Sequence, residues 1–324
     1  MQARQIARRK RKELGQEPPR GYTLRDAWAL WKNLKRGRIV SYQDERRRME
    51  RYIISPLGGR QIDEITAPLV IQTVKSIERA GHQATLKRVL MRTREVMDLA
   101  VCAGYIHHNP IDRVSRVFAA PIVKPMPSVH WRELPRVMEI VKSASRRIQL
   151  LFAWACLSLL RPIETVKVRW EWIDADVLTI PATEMKKSRE HRLPLLPIML
   201  DVLQAGKSES PHPKSPFIWA GRVSGKHMSE QTLAKFFHET ELKGRLVAHG
   251  IRSIGRSWMA DHDAPFEVAE ACLSHVSGSS VSRAYQRSDY LTQRRSLMAS
   301  WCSYVSDCAR EVEFLPDIFK ADTA

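Results

Sequence analysis

The chain has 324 residues, which at roughly 150 residues per domain predicts two domains, each large enough to bury a core. Hydrophobic residues make up 44% and charged residues 27% of the chain, a balance that excludes a disordered or collagen-like protein. Lys and Arg number 53 against 35 Asp and Glu, a formal net charge of +18, so a polyanion such as nucleic acid is the expected partner.

Several other classes of protein are excluded by the same sequence. No apolar segment is long enough to span a bilayer, so no membrane partner is expected. Residues 1–20 carry Arg8-Arg9-Lys10-Arg11-Lys12 without the apolar segment of a secretory signal, which predicts a cytoplasmic protein. The five cysteines show no C-x-x-C spacing, so we expect buried free thiols and neither disulfides nor a zinc site.

The first part of the chain predicts a basic arm followed by an all-helical domain. Residues 1–20 form the arm, which ends at Pro18-Pro19, where a helix cannot continue. Residues 21–115 carry apolar side chains at helical spacing in three stretches. These are Leu24, Ala27, Trp28, Leu30 and Trp31; Leu69, Ile71, Val74 and Ile77; and Leu86, Val89, Leu90, Val96, Met97 and Ala100.

Basic residues cluster on the faces of these helices that are predicted to be exposed. The clusters are Lys32, Lys35, Arg36 and Arg38; Arg46, Arg47, Arg48 and Arg51; and Lys87, Arg88, Arg92 and Arg94. One such cluster is typical of any solvated helix. Together, in a chain this basic, they favour contact with a phosphate backbone.

The second domain is predicted to begin after a linker at residues 116–130, which contains Pro121, Pro125 and Pro127. Residues 131–324 are mostly helical. Residues 177–181 and 191–195 are predicted as two short strands with a turn near residues 186–189. The sequence therefore predicts a mainly α fold with a small β-hairpin in the C-terminal domain.

The second domain contains polar residues whose spacing favours binding of an anion. Arg161 follows an apolar stretch and precedes Glu164 by three residues, which fits a buried ion pair as well as a functional arginine. His249 and Arg252 lie on one face of a helix if that helix begins near Ala248, so both can address one anion.

A histidine and a tyrosine follow these residues. His275 is separated from Tyr285 by the small-residue segment Ser277-Gly278-Ser279-Ser280. Tyr285 is the first candidate for a nucleophile, and Tyr290 is its competitor. Each of these spacings, taken alone, is common in residues that only stabilise a fold.

The chain carries, in this order, an Arg, a Lys in a hairpin, a His-x-x-Arg pair, a His and a Tyr. In this order of residues it resembles the tyrosine recombinases, the phage integrase family, including prophage and genomic-island integrases. The most specific segment is residues 284–291, Ala-Tyr-Gln-Arg-Ser-Asp-Tyr-Leu, followed by Arg294 and Arg295. The resemblance implies the fold of the DNA breaking-rejoining enzymes, with a SAM-like helical core-binding domain at residues 21–115 and a catalytic domain at residues 131–324.

The resemblance also implies a role for each candidate residue. Arg161 and Arg252 are similar to the two arginines that hold the scissile phosphate, His249 to the first residue of the His-x-x-Arg pair, and His275 to the second histidine. Lys186, eight residues before Pro194, fits the hairpin lysine that protonates the leaving 5′-oxygen, with Lys187 as the alternative. Tyr285 fits the nucleophile. No cofactor or metal is implied.

The chain departs from the family pattern in three places. Ser158-Leu159 stands where a small residue and a glycine usually precede the first arginine. Gly250 follows His249, where the family often has aspartate. Island integrases often begin with an arm-binding domain of β type, and residues 1–20 resemble only the helix that ends it.

The function implied by the resemblance is site-specific DNA recombination. The protein is expected to be an integrase of a mobile genetic element in the bacterial cytoplasm, acting near the nucleoid on double-stranded DNA attachment sites through a 3′-phosphotyrosyl intermediate. A homotetramer on DNA is implied, in which the segment after the nucleophile docks on a neighbouring protomer, with accessory DNA-bending or excisionase proteins. Two alternatives remain: a type IB-like topoisomerase and a catalytically idle DNA-binding regulator derived from an integrase.

Overall fold

The computed structural model describes residues 21–39, 41–122, 125–185, 189–275 and 288–320. The described residues form two compact units that meet in sequence between Ile122 and Pro125. Each unit has its own hydrophobic core. The predicted fold class is confirmed: the chain is mainly helical, with a small sheet in the second unit.

The first unit consists of helices. They are α1 (Leu24–Lys35), α2 (Tyr42–Met49), α3 (Ala67–Arg79) and α4 (Gln83–Cys102). Helix α2 continues through a π-helical turn at Glu50–Ile54 and an α-helical turn at Ser55–Leu57. Short 3-10 turns lie at Ile62–Glu64 and Val114–Val117.

Helix α1 begins where its sequence supplies a capping box. The Asp26 amide donates to Thr23 Oγ1 at 3.3 Å and the Thr23 amide donates to Asp26 Oδ2 at 2.8 Å, which satisfies two backbone donors at the helix start. Trp28 and Trp31 are fully buried on the inner face. Leu30, which the sequence placed on that face, is 36% exposed because it lies on the flank of the stripe formed by the tryptophans.

A similar correction applies to helix α3. Its buried residues are Val70, Val74 and Ile77, spaced by four and three residues. Leu69 and Ile71, which we expected on the core face, flank Val70 and are only partly buried. The predicted core face of helix α4 is confirmed, since all six apolar residues assigned to it are buried.

Some of the basic residues of this unit stabilise the unit itself. Arg92 is only 11% exposed, pairs with Glu45 and Glu95, and stacks over the Trp31 ring at 4.6 Å. Arg48 also pairs with Glu45, at 2.7 Å. The expectation that the whole of each cluster faces a phosphate backbone is therefore wrong for Arg92 and Arg48.

The second unit combines helices with a small sheet. Its helices are α5 (Leu134–Val141), α6 (Arg146–Ser158), α7 (Pro162–Lys167), α8 (Pro197–Ser208), α9 (Thr232–His238), α10 (Gly250–Asp261), α11 (Phe266–Cys272) and α12 (Leu291–Glu311). Its antiparallel strands are β1 (Ile173–Asp174), β2 (Val177–Ile180) and β3 (His191–Pro194), in that order across the sheet. Strand β1 was not expected. The β2–β3 pairing places Ile180 opposite His191.

Helix α6 forms the centre of this core, with every residue from Leu150 to Ser158 buried. Helix α12 packs against it: the Trp301 indole N–H donates to the Cys156 carbonyl at 2.8 Å. Beyond helix α12, Phe314, Leu315 and Phe319 fold back into the same core. Four cysteines are buried as free thiols, but Cys102, which ends helix α4, is exposed.

No helix in the part of the chain that the structure describes combines the length and the apolar character needed to cross a membrane.

Candidate active site

Arg161 lies at the start of helix α7, where the chain turns away from the buried helix α6. The Glu164 carboxylate accepts from the Arg161 backbone amide at 3.1 Å and from its guanidinium at 3.0 Å, which caps the helix. Glu164 is fully enclosed, whereas the Arg161 side chain remains 14% exposed. The ion pair that the sequence suggested is therefore present. It orients a guanidinium that still reaches solvent.

Leu159 lies two residues before Arg161, at the point where the chain leaves helix α6. Leu159 ends helix α6 in the left-handed conformation, with φ of 51°, at the position where the family pattern has glycine. A non-glycine residue adopts this conformation at a cost of about 1–2 kcal/mol. The fully buried side chain packs against Gly255, whose missing Cβ would lie 2.6 Å from Leu159 Cδ2. Leucine thus preserves the backbone turn, and its packing against Gly255 offsets part of the strain.

Arg252, on helix α10, is almost fully enclosed. Its guanidinium donates to the carbonyls of Leu159 and Leu273, the latter at 2.5 Å, and lies 3.0 Å from His275 Nε2. Burial lowers the pKa of Arg252 to about 10, and the nearby charge of Arg161 acts in the same direction. Arg252 therefore remains charged at neutral pH.

The two arginines converge on one turn of the chain. Arg252 contacts the Leu273 carbonyl, and Arg161 donates to the carbonyl of the next residue, Ser274, at 3.1 Å. Ser274 has φ of 52°, and this left-handed residue reverses the chain after helix α11. The turn therefore brings together two guanidinium groups that lie 91 residues apart in the sequence (252 − 161).

His249 occupies the N-cap position of helix α10, and the Arg252 amide donates to its carbonyl at 3.2 Å. The helix begins at Gly250, two residues after Ala248, near which the sequence argument for this pair assumed the helix to start. A Cβ on Gly250 would lie 2.4 Å from the Pro127 carbonyl oxygen, because residues 127–128 cross the start of the helix. Ser128 Oγ donates to the Gly250 carbonyl at 2.9 Å. This crossing accounts for the glycine where the family often has aspartate.

We expect that Gly250→Ala lowers the free energy of unfolding of the second unit by about 1–3 kcal/mol, because the atom nearest to the new methyl group is a backbone oxygen, which cannot move aside as the end of a side chain can. Gly250→Asp, which introduces the usual family residue, should be worse still. Urea denaturation of both variants measures this. Gly59→Ala is the control, since a Cβ there meets nothing within 4 Å. Unchanged stability of Gly250→Ala contradicts the crossing.

His275 follows the turn and is contacted from two sides. Its Nδ1 lies 2.9 Å from Glu270 Oε2, and the other oxygen of Glu270 accepts from Arg256 Nε at 2.8 Å. Burial lowers the pKa of His275, the hydrogen bond with Glu270 raises it, and the charges of Arg252 and Arg161 lower it again, so the pKa lies below its ordinary value. Sequence reasoning missed Glu270 and Arg256.

A further histidine near the site, His191, was also missed. It opens strand β3, is buried, and its Nε2 has no hydrogen-bond partner among the described residues. Burial, together with the charges of Arg294, Arg252 and Arg161, holds the pKa of His191 well below its ordinary value. A histidine at an inward-facing strand position next to the predicted hairpin was the available signal.

The depressed pKa of His191 predicts a loss of stability on acidification. The unfolded chain takes up a proton below about pH 6.5 and the folded chain does not, so stability falls as pH decreases from there, by up to about 1.4 kcal/mol per pH unit. We expect His191→Leu to reduce this dependence, as measured by urea denaturation at pH 7.5 and 5.5. His238→Leu is the control because His238 is exposed. An unchanged pH dependence in His191→Leu rejects this assignment.

Arg294, on helix α12, adds another enclosed cation. It is 2% exposed, and its Nε and one terminal nitrogen have no partner among the described residues. Burial lowers its pKa. The sequence motif contains Arg294 only in its tail, with no role assigned to it.

The remaining predicted site residues are placed as follows. Lys186, its alternative Lys187 and Tyr285 lie outside the described residues. Tyr290 is described and forms the N-cap of helix α12, with φ of 54°. The structure therefore brings together Arg161, Arg252 and His275, with His249 at the start of the helix that carries Arg252.

The chemistry available here is the binding and stabilisation of an anion. Two guanidinium groups supply fork-shaped donors that tighten as negative charge builds on a phosphate. Within the ranges that the structure describes, no three His, Cys, Asp or Glu side chains are grouped to hold a metal ion.

Comparison with known proteins identifies similar chains for both units. Residues 128–291 match the phage integrase family, and residues 27–117 match the phage integrase central domain. Over 282 residues the chain is 35% identical to the prophage integrase IntA of Escherichia coli K12, covering 85% of this chain and 68% of that protein.

Two solved structures of lambda integrase share the fold at 16% identity. One is a dimer bound to a COC′ core site, with a TM-score of 0.63 over 83% of this chain and 96% of that one. The other is a tetramer bound to a Holliday junction, with a TM-score of 0.65 over 82% of this chain and 78% of that one.

Proposed function

This chain belongs to the phage integrase family of tyrosine recombinases, and from that premise we propose that it is the site-specific integrase of a prophage or related mobile element. The observation that carries the proposal is the convergence of Arg161, Arg252 and His275 on one turn. The nearest carboxylates, Glu164 and Glu270, are already engaged by hydrogen bonds. A DNA phosphate is the anion that fits the remaining positive charge.

We propose that the reaction is a direct transfer of a DNA strand to Tyr285. The phenolic oxygen attacks the phosphorus, the bond from phosphorus to the 5′-oxygen breaks, and a 3′-phosphotyrosyl bond forms. Lys186, or its neighbour Lys187, gives a proton to the departing 5′-oxygen. His249 takes the proton of the phenol, whose pKa of about 10 makes it a weak nucleophile without a base. A 5′-hydroxyl of another strand reverses these steps and rejoins the DNA without ATP.

Binding of the duplex is proposed to involve exposed basic residues of the first unit. Arg46, Arg47 and Arg51 line an open groove on helix α2 and its π-helical continuation. Arg47 pairs with Asp44, but both side chains are more than half exposed, so the guanidinium can still reach a phosphate. Contacts of this kind neutralise backbone phosphates and give binding that weakens with salt.

The proposed assembly is a homotetramer on paired attachment sites, assisted by DNA-bending or excisionase proteins, in the bacterial cytoplasm. It is supported by membership of the family and by the tetrameric lambda integrase that shares the fold. The boundaries proposed for the functional parts are residues 1–20 for a basic arm, 21–115 for the core-binding domain, 116–130 for the linker and 131–324 for the catalytic domain.

A nicked suicide substrate made from an end of the element tests this function. After cleavage, the short strand beyond the nick diffuses away, so an active integrase stays attached to the DNA and migrates as a covalent adduct on a denaturing gel. Specific binding without adduct indicates an idle regulator. Relaxation of supercoiled plasmids that lack the site indicates a type IB-like topoisomerase.

A further inference from the structure

A chain of four polar side chains connects helix α10 with the turn after helix α11. Arg256 Nε donates to Glu270 at 2.8 Å, Glu270 contacts His275 Nδ1 at 2.9 Å, and His275 Nε2 contacts the Arg252 guanidinium at 3.0 Å. Arg252 and Arg256 are four residues apart on the same helix, so they hold the Glu270–His275 pair from its two ends.

These contacts fix the tautomer of the imidazole. A guanidinium has only donors, so His275 Nε2 must accept the hydrogen bond from Arg252 and carries no proton. The proton of the neutral ring then lies on Nδ1, where it is donated to the Glu270 carboxylate. A proton on Nε2 would set two donors against each other and break the contact with Arg252.

The charges that face His275 keep it in this neutral form. Arg252 from helix α10 and Arg161 from the start of helix α7 oppose protonation of the ring, while Glu270 from helix α11 favours it. Burial raises the pKa of Glu270, but the hydrogen bonds from Arg256 and His275 outweigh that effect and hold its pKa below the ordinary value. Glu270 is therefore ionised and available as an acceptor.

We propose that Glu270, held by Arg256, is a positioning residue that keeps His275 in its Nδ1–H tautomer so that Nε2 orients the guanidinium of Arg252. This proposal rests on the proposed integrase function for its consequence, which is a correctly aimed Arg252 before DNA binds. The arrangement itself is a property of the free protein. In metal sites, mutating a carboxylate that orients a ligating histidine lowers activity by about 10–100-fold, and we expect an effect of that order here.

The first test is independent of activity. Imidazole nitrogen NMR of the full, DNA-free chain, with the His275 signals identified from a His275→Gln variant, should show the Nδ1–H tautomer. In Glu270→Gln one of the two oxygens that accept from Arg256 and His275 becomes an NH2 donor, so we expect a mixture of tautomers and a lower pKa of His275. A wild-type Nε2–H tautomer, or identical spectra in Glu270→Gln, overturns the proposal.

The second test measures cleavage of the suicide substrate in a single turnover across pH. Glu270→Gln should lower the rate by about 10–100-fold and move the acid limb of the pH profile to lower pH, with affinity for the DNA unchanged. Glu270→Asp should recover part of the rate. Arg256→Gln removes the clamp from a partly exposed position and should lower the rate less, without moving the acid limb to lower pH because Glu270 keeps its charge, which guards against a Glu270 variant that does not fold.

The two tests separate the possible failures. If the wild-type chain forms no adduct but shows the predicted tautomer, the integrase function fails and the positioning role of Glu270 stands. If Glu270→Gln cleaves at the wild-type rate with an unchanged acid limb, the positioning role is wrong and the integrase function stands.

Discussion

Replacing Tyr285 with phenylalanine is expected to abolish the covalent protein–DNA adduct and to lower single-turnover cleavage by at least about 10⁴-fold. Phenylalanine keeps the ring and removes only the oxygen that bonds to phosphorus. Affinity for the DNA should therefore persist. Time courses on the suicide substrate, read on denaturing gels, measure the cleavage, and gel shifts of the intact duplex measure the binding.

Tyr290→Phe is the matched control, since it removes the same atom five residues away. Tyr290 is the N-cap of helix α12 and has a left-handed backbone, and its amide donates to Ser288 Oγ at 3.1 Å. We expect this variant to cleave at the wild-type rate. The reverse pattern, with Tyr290→Phe inactive and Tyr285→Phe active, assigns the nucleophile to Tyr290.

Arg252→Lys should lower cleavage by about 10²–10³-fold, the usual effect of losing one donor to a charged transition state. A lysine places one ammonium where the guanidinium contacts two carbonyls and His275 at once, so it cannot keep these contacts and also hold a phosphate. An enclosed ammonium also loses its proton more easily than a guanidinium. Single-turnover rates at saturating protein measure this loss separately from affinity.

Arg245→Lys is the control for this substitution. Arg245 precedes the same helix, is exposed, and pairs with Glu133 at 2.6 Å. We expect its rate and affinity to match the wild type. If Arg252→Lys also retains the wild-type rate, Arg252 does not contact the reacting phosphate.

Most of the fold was predictable because it follows from local periodicity. The apolar spacing of helix α4 and the β2–β3 hairpin are present as predicted. Leu30, Leu69 and Ile71 were wrongly assigned to the core. Apolar spacing locates the buried face of a helix only to within about one residue, and packing decides which side chains lie at the centre of that face.

The candidate site was predictable only in part. The sequence motif identified Arg161, Arg252 and His275, which do converge. It missed Glu270 and Arg256 because their role depends on the left-handed Ser274, which turns His275 back towards helix α11. Likewise, the need for Gly250 comes from Pro127, more than a hundred residues earlier in the chain. Such long-range approaches leave no local pattern to recognise.

Phe314, Leu315 and Phe319 fold into the core of the second unit. Contacts between protomers therefore cannot be tested by deleting the C-terminal segment. A deletion after Val305 removes these three buried side chains. Replacing one such residue with alanine lowers the free energy of unfolding by about 2–5 kcal/mol, so we expect the deletion to unfold the second unit. If such a truncated protein fails to form higher-order complexes, the cause is unfolding and not the loss of contacts with a neighbouring protomer. Ala299 and Ser303 are exposed on helix α12, so larger residues at these positions test whether this surface contacts a neighbouring protomer without disturbing the core.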